Sequence, residues 1–192
     1  PGFCETDSLK HAVFDDDVLM LVAEDDVMGR VLGTAAVILD IGAFGDLIGE
    51  FGRLAVHPDG RRRGVGRLLM EGRLERLQDR LHIGLEENRA VHPFSQRISA
   101  THGFSPVGFL PSKMRFAKRE HIALYARTFG SCLKLRKNQP RVVPEAYPLA
   151  ALVMGGLQIA DDAVIDVDTP PYVSTGAFGL EGMSSEGYAS LL

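Results

Sequence analysis

The sequence contains no tryptophan and only two cysteines, Cys4 and Cys132, among its 192 residues. Two thiols are too few for a disulfide framework or a cysteine-rich zinc site, and this usage favours a reducing compartment. We therefore expect a cytoplasmic protein. No apolar run approaches the ~20 residues of a membrane-spanning helix, so no membrane association is expected. The first residues lack both a signal-peptide pattern and an initiator Met, which is compatible with a fragment.

Several functional motifs are also missing. The P-loop pattern Gly-x-x-x-x-Gly-Lys-Ser/Thr does not occur, and Gly64-Val65-Gly66 is followed by Leu69 where a dinucleotide fingerprint requires its third glycine. No serine lies in a Gly-x-Ser-x-Gly elbow, which argues against serine hydrolase chemistry. The His residues are scattered, and no His/Cys/Asp spacing is typical of a metal site, so we predict none.

The bulk composition is that of an ordinary globular domain. Apolar residues make up 45% of the chain, charged residues 24%, and the net charge is −4. The cluster Arg61–Arg63 is therefore a local basic feature on a mildly acidic protein. A nucleic-acid-binding protein would carry a broader basic face, so no nucleic-acid partner is predicted.

The stretch from Glu50 to Leu69 organises the chain. Residues 50–56 favour a strand, and His57-Pro58-Asp59-Gly60 has the composition of a turn. From Val65 the apolar residues recur at three- and four-residue steps, which predicts an amphipathic helix over 65–81. Free amides at a helix start, glycines that admit a ligand to the backbone and three arginines together predict an anion-binding site.

The remaining elements are predicted from periodicity and turn residues. Strands are expected at 18–23, 31–39, 81–86, 107–110 and 113–117, and a helix at 94–102. Beyond residue 119 we predict a second amphipathic helix from Ile122 to Leu133, a helix at 145–157 and a short strand at 163–167. The predicted organisation is a domain at 1–118, a mainly helical extension packed on it at 119–171, and a loose Gly/Ser-containing tail at 172–192.

Two motifs resemble the GNAT acyltransferase superfamily. Arg61-Arg62-Arg63-Gly64-Val65-Gly66 is similar to its Arg/Gln-x-x-Gly-x-Gly/Ala signature and likewise follows an apolar strand and His-Pro-Asp. The later helix that ends in Gly103-Phe104 before a strand is the second resemblance, and together they span about residues 18–118. The family implies an α/β fold with a mixed, mostly antiparallel sheet flanked by helices. Its first strand and most of its first helix have no room here.

The resemblance also implies a cofactor site for acetyl-CoA. In the family, the strands on either side of the central helix splay apart and the pantetheine arm pairs with the earlier strand, here Leu54, Ala55 and Val56. The pyrophosphate binds the loop and helix start, here Arg61, Arg62, Arg63, Gly64, Val65, Gly66 and Arg67. The resemblance further assigns Ser95, at the start of the later helix, to the cofactor.

Glu50 is the first candidate for a catalytic base. It lies eleven residues before Arg61, where histone-type family members place their base. On an alternating strand it shares a side with Gly52, Leu54 and Val56. The alternative is an exposed glutamate at a strand end.

Glu86 and Glu87, at the end of the next strand, are the competing bases, and Ser99 is the second catalytic candidate. Ser99 occupies the position at which many family members carry a Tyr that protonates the leaving thiolate. Serine is a poor proton donor to a thiolate, although it can position a water.

Two functions follow from this interpretation. The first is an N-acetyltransferase that moves an acetyl group from acetyl-CoA to a small-molecule or protein amine by direct attack in a ternary complex. The alternative is a catalytically degenerate CoA-binding sensor that regulates a partner through residues 119–192. A homodimer or fusion to further domains is compatible with both.

Overall fold

The structure is a computed structural model that describes residues 7, 10, 13–39, 47–115 and 118–169, and the backbone of 182–185 and 188–191. Its helices are α1 (Val65–Leu77), α2 (Pro93–Thr101) and α3 (Tyr147–Gly156). Its strands are β1 (Val18–Asp25), β2 (Arg30–Ile38), β3 (Ile48–Val56), β4 (Ile83–Arg89), β5 (Ser105–Arg115), β6 (Arg119–Thr128), β7 (Arg141–Val142), β8 (Val164–Ile165), β9 (Gly182–Ser185) and β10 (Tyr188–Leu191).

The main sheet has six strands in the order β1-β2-β3-β4-β6-β5. Every neighbouring pair is antiparallel except β3 and β4, which run parallel because α1 connects them. Helix α1 packs its apolar side on β1, β2 and β3, and α2 packs beside it against β4. The predicted fold, a mixed and mostly antiparallel sheet flanked by helices, is confirmed.

Strands β3 and β4 are joined only at their beginnings. Their register runs from Ile48–Ile83 to Glu50–Leu85 and then stops. The aromatic rings of Phe51, Phe104 and Phe129 pack together just beyond this point, with centroids 5.3 to 6.5 Å apart. Gly84 allows this packing, because a Cβ there would lie 3.0–3.1 Å from all three rings. The two strands are thus fastened at one end and separate towards the other.

A β-bulge in β3 reverses the alternation of its side chains. Ala36 pairs with Gly52 and Thr34 pairs with Ala55, so β2 advances by two residues where β3 advances by three. Within this bulge Arg53 adopts a φ of 54°. As a result Leu54 and Val56 pack towards α1, as Phe51 does. The prediction that Glu50 shares a side with Leu54 and Val56 is therefore wrong, whereas Gly52 does lie on its side.

The helix predicted from Ile122 to Leu133 is also wrong. Residues 119–128 form β6, which lies in the sheet between β4 and β5. The buried residues Ile122 and Ala126 are four positions apart, a spacing that fits one side of a strand as well as one side of a helix. The two closing strands predicted at 107–110 and 113–117 are, as far as the described residue Arg115, one strand, β5. Its register is irregular between Leu110 and Met114, and Ser112 has a φ of 55°.

In the C-terminal region, the observed elements agree in part with those predicted from the sequence. Helix α3 and strand β8 lie where a helix and a short strand are predicted, and β8 pairs with β7. The division into a domain at 1–118 and an extension at 119–171 stays a prediction, but such an extension does not begin with a helix. The predicted tail at 172–192 lies outside the described residues except for the paired backbones of β9 and β10.

Within the described part of the chain, none of the helices has the length and apolar character needed to cross a membrane.

Candidate active site

The loop between β3 and α1 presents backbone amides to solvent. His57 caps a short 3-10 turn at Pro58–Gly60, and the chain then passes through two left-handed residues, Arg62 at φ 60° and Gly64 at φ 83°. Gly64 begins α1 without any side-chain cap, and the first intrahelical bond is from the Leu68 amide to the Gly64 carbonyl. The amides at the helix start are therefore available to an anion, and the helix dipole favours its charge.

Gly66 is constrained on two sides. A Cβ at this position would lie 3.0 Å from Ile98 Cδ1 of α2 and 3.8 Å from Val56 Cγ2 of β3. Helix α2 thus packs across the start of α1, and the backbone at Gly66 lies close to side chains of α2 and β3. The absence of a side chain at Gly66 lets a ligand approach the backbone closely here.

The arginines of the loop differ in what they contact. Arg63 Nη2 lies 3.1 Å from Asp25 Oδ2 at the β1–β2 turn, and its hydrogen bond lowers the pKa of Asp25. Arg67 Nε lies 2.7 Å from Glu71 Oε1 one turn along α1. Arg61 and Arg62 are exposed. The loop therefore combines anchored and solvent-facing positive charge around one helix start.

The last three residues of β3 have one open backbone edge. Ala55 and Val56 pair with β2 on one side, but in the described ladders no strand pairs with the other side of Leu54–Val56. An extended amide-bearing chain can add to such an edge as a further strand. The edge leads directly into the amide-lined loop.

Glu50 lies on the sheet face that points away from α1. Its neighbour Phe51 packs into the core with Met70 and Leu74 of α1, so the Glu50 side chain points to the opposite face. It is partly exposed, and its Oε1 lies 3.2 Å from Arg53 Nη1. Glu87, the next residue after Glu86 on β4, lies on the opposite face of the strand from Glu86 and is paired with Lys113.

Glu86 lies on the other face, in a buried polar cluster. Its side chain is 6% exposed, and its Oε1 is 3.9 Å from Nη2 of Arg73, whose side chain is 1% exposed. Burial raises the pKa of Glu86 to about 7, opposed by the polar side chains of Ser99 and Asn88 and by the charge of Arg73. Burial also lowers the pKa of Arg73 to about 10, so Arg73 remains a cation at neutral pH.

Ser99 belongs to the same cluster. Its hydroxyl accepts a 2.8 Å hydrogen bond from Asn88 Nδ2 and donates a 3.0 Å bond to the Ser95 carbonyl one turn earlier. Ser95 is half-buried, and its own hydroxyl donates to the His92 carbonyl. Ser99 is thus held inside α2, and Ser95 lies nearer the helix start.

Arg73 and Asn88 are site residues that motif searching missed. Arg73 interrupts the apolar stripe of α1 between Leu69 and Leu77, four residues from each, while Leu68, one position before Leu69, is exposed. A charged residue within an apolar helical stripe can be recognised in the sequence, because the packing that buries the stripe also buries the charge. Asn88 follows Glu86 at the two-residue spacing of one strand face.

Comparison with known proteins decides the family. The family model described as "Acetyltransferase (GNAT) domain" matches residues 16–104. This part of the chain is a GNAT domain. Among solved structures, a GNAT acetyltransferase from Streptococcus pneumoniae is 19% identical with a TM-score of 0.55, covering 64% of this chain and 72% of that one.

Two further solved structures have the same fold. The ribosomal-protein-S18-alanine N-acetyltransferase of Escherichia coli is 18% identical with a TM-score of 0.55, covering 66% of this chain and 78% of that one. A spermidine/spermine N-acetyltransferase of Vibrio cholerae is 17% identical with a TM-score of 0.56, covering 68% of this chain and 76% of that one. A comparison with curated protein sequences returned no match.

The GNAT fold brings most of the predicted cofactor residues together. Those of the β3 edge and those of the loop form one continuous surface, whereas Glu50 and Ser99 lie on opposite faces of the sheet. No group of side chains able to hold a metal ion occurs among the described residues.

The raised pKa of Glu86 predicts a pH-dependent stability. The folded protein holds this proton up to about pH 7, while the unfolded chain releases it near 4.5, so stability falls as the pH rises between these values. Glu86→Gln should remove this loss. The free energy of unfolding of the variant, relative to that of the unsubstituted protein, should therefore rise by about 3 kcal/mol across the window. Urea unfolding from pH 4 to 8 measures it. Glu75→Gln, at an exposed site on α1, is the control, and parallel curves for Glu86→Gln and the unsubstituted protein would contradict the assignment.

Proposed function

We propose that the GNAT domain binds acetyl-CoA between β3 and β4 and transfers its acetyl group to an amine. One observation carries the proposal: the open edge of Leu54–Val56 runs directly into the uncapped start of α1. An acyl-CoA combines an amide-bearing arm with a pyrophosphate, in that order. The edge suits the arm, and the helix start suits the anion.

The proposed pyrophosphate position is the amides of Gly64 to Arg67, because those of Arg61 and Arg63 already donate to the Pro58 and Gly60 carbonyls. Gly64 and Gly66 admit the pyrophosphate to the backbone. Arg61 and Arg62 add positive charge from the solvent side. Because these side chains are exposed, each contributes no more than ~1 kcal/mol. Most of the affinity for the anion is assigned to the backbone and the helix dipole, and Ser95 is proposed to line the arm from α2.

The proposed general base is Glu50. In the reaction the amine nitrogen attacks the thioester carbonyl carbon, the carbon–sulfur bond breaks, and the amine loses a proton. A protonated amine has a pKa near ~10, so a carboxylate on the acceptor side has a proton to remove, directly or through a water. Glu50 lies on the face that α1 and α2 leave uncovered. Glu86 is the competing base, because its pKa of about 7 suits proton transfer at neutral pH.

The position of Ser99 supports the alternative function. Ser99 is 1% exposed, and its hydroxyl already donates its proton to the Ser95 carbonyl, so protonation of a thiolate by Ser99 would require that bond to break. We assign Ser99 to positioning Asn88 and Glu86. A CoA-binding module without turnover therefore remains the second candidate, and the thiolate of an active enzyme would take its proton from water.

The acceptor is proposed only as an amine. Similar folds include enzymes named for acetylating a ribosomal-protein alanine and for acetylating spermidine or spermine. Both acceptors present an amino group, one on a protein and one on a small cation. The same two classes are proposed for this chain, in the cytoplasm.

Gly66→Asp tests the cofactor position. The new carboxylate would occupy the space of the pyrophosphate and repel its charge, so we expect at least a hundredfold loss in affinity for CoA by calorimetry. Gly66→Ala is the matched control, because it adds the same Cβ beside Ile98 without a charge. Equal affinities for the two variants would contradict the placement, provided that both melt cooperatively.

Glu50→Gln and Glu86→Gln identify the base. Removal of a general base typically lowers turnover by ~10²–10⁴-fold and leaves binding of the acyl donor nearly unchanged. We expect this result for Glu50→Gln, assayed with polyamines and peptide N-termini as acceptors. A loss confined to Glu86→Gln would move the role to β4, and full activity of both variants would exclude a carboxylate base. Binding of CoA without turnover of any amine by the unsubstituted protein would favour the regulatory alternative.

A further inference from the structure

Arg73 is a charged side chain in a fully buried position. It is 0% exposed and lies on the core side of α1 among Met70, Leu74 and Leu77. Burying a guanidinium is costly unless its donors are satisfied, so its contacts should show what holds it there. Outside α1, these contacts are made with β2 and β3 of the sheet and with Glu86 of β4.

The guanidinium lies where β3 separates from β4. Arg73 Nη1 donates to the carbonyls of Ala36 on β2 and Gly52 on β3, each at 3.3 Å. Its carbon Cζ lies 5.3 Å from the centroid of the Phe51 ring. Pairing between the strands ends at Glu50–Leu85, so Phe51 and Gly52 are the first residues beyond the closed end of the cleft.

The opposite wall of this closed end is Glu86. Its carboxylate is the nearest acid to Arg73, yet at 3.9 Å the two form a loose pair. Arg73 Nε and Glu86 Oε2 are both buried without a hydrogen-bond partner among the described residues. The closed end of the cleft is therefore lined by an incompletely satisfied ion pair, with the Phe51 ring beside it.

The direction of the acyl donor follows from the proposed function, on which this inference rests. With the pyrophosphate at the start of α1 and the arm along Val56 to Leu54, the thioester comes next, level with Gly52. The acyl group must then point into the closed end, against the Arg73 guanidinium. A longer acyl chain that continues in this direction meets the contacts that Arg73 makes.

We propose that Arg73 sets the acyl-chain selectivity of the donor and restricts it to the acetyl group. A longer alkyl chain would have to displace the guanidinium from the Ala36 and Gly52 carbonyls, which would remove two hydrogen bonds from a buried cation. It would also place methylene groups directly against a buried ion pair. In this arrangement the acetyl group ends in front of Arg73, and additional carbons meet the guanidinium.

The test is the binding of CoA, acetyl-CoA, butyryl-CoA and octanoyl-CoA by calorimetry, which needs no knowledge of the acceptor. We expect the unsubstituted protein to bind CoA and acetyl-CoA with similar affinity and the longer esters at least about tenfold more weakly. Arg73→Ala should reduce that difference to less than about threefold without weakening the binding of CoA. Arg73→Met, which keeps an unbranched apolar side chain, and the charge-neutral double variant Arg73→Met with Glu86→Gln give the same readout if the alanine variant does not fold.

Arg76→Ala is the matched control, because Arg76 lies on the same helix but is exposed, where it donates to the Gly72 carbonyl and lies 3.9 Å from the carboxylate of Glu75. It should keep the discrimination of the unsubstituted protein. Equal binding of acetyl-CoA and octanoyl-CoA by the unsubstituted protein would overturn the inference while leaving the proposed function intact. Unchanged discrimination in the folded Arg73 variants would also overturn it. Failure of every CoA compound to bind would overturn the proposed function, and the inference with it.

Discussion

The structure depends on the way β3 and β4 are held together at one end only. Three parallel residue pairs and a packed group of Phe51, Phe104 and Phe129 close that end. Aromatic pairs of this kind contribute about 0.5–1.5 kcal/mol each beyond the area that they bury. Past Glu50 the bulge at Arg53 turns β3 away and exposes its backbone edge. A continuous sheet would have no cleft at this position, and the helix start beside it would face nothing but solvent.

The cleft has two chemically different faces because side chains alternate along its strands. Glu50 is partly exposed and paired with Arg53, whereas Glu86 is buried beside Arg73, Ser99 and Asn88. Identical side chains thus lie in different surroundings and have different access to an acceptor. The exposed face suits an incoming amine. The buried face suits the end of an acyl group, and there the fold keeps a cation in place of the apolar residue that the stripe of α1 would lead one to expect.

The sequence predicted the elements whose residues carry only one interpretation. The strand at 50–56, the glycine loop and the helix from Val65 follow from turn chemistry and period, and the family motif adds the order of the sheet. Prediction from sequence failed where one pattern of apolar residues fits two kinds of secondary structure. Ile122 and Ala126 fit a helix or a strand, and only pairing with β4 and β5 decides between them. The bulge at Arg53 depends on long-range pairing with β2, and the burial of Arg73 depends on the strands that cover it, so neither is visible in local sequence.

The central claim is that one surface, from the open edge of β3 to the start of α1, holds the acyl donor. Amide hydrogen exchange with and without CoA tests it most directly, because both proposed contacts are made by backbone groups. Exchange should slow at Leu54–Val56 and at Gly64–Arg67 and remain unchanged in β1 and α3. Slowing confined to another site, such as the cavity of about 500 Å³ between the C-terminal ends of α2 and α3, with β3 unaffected, would contradict the claim.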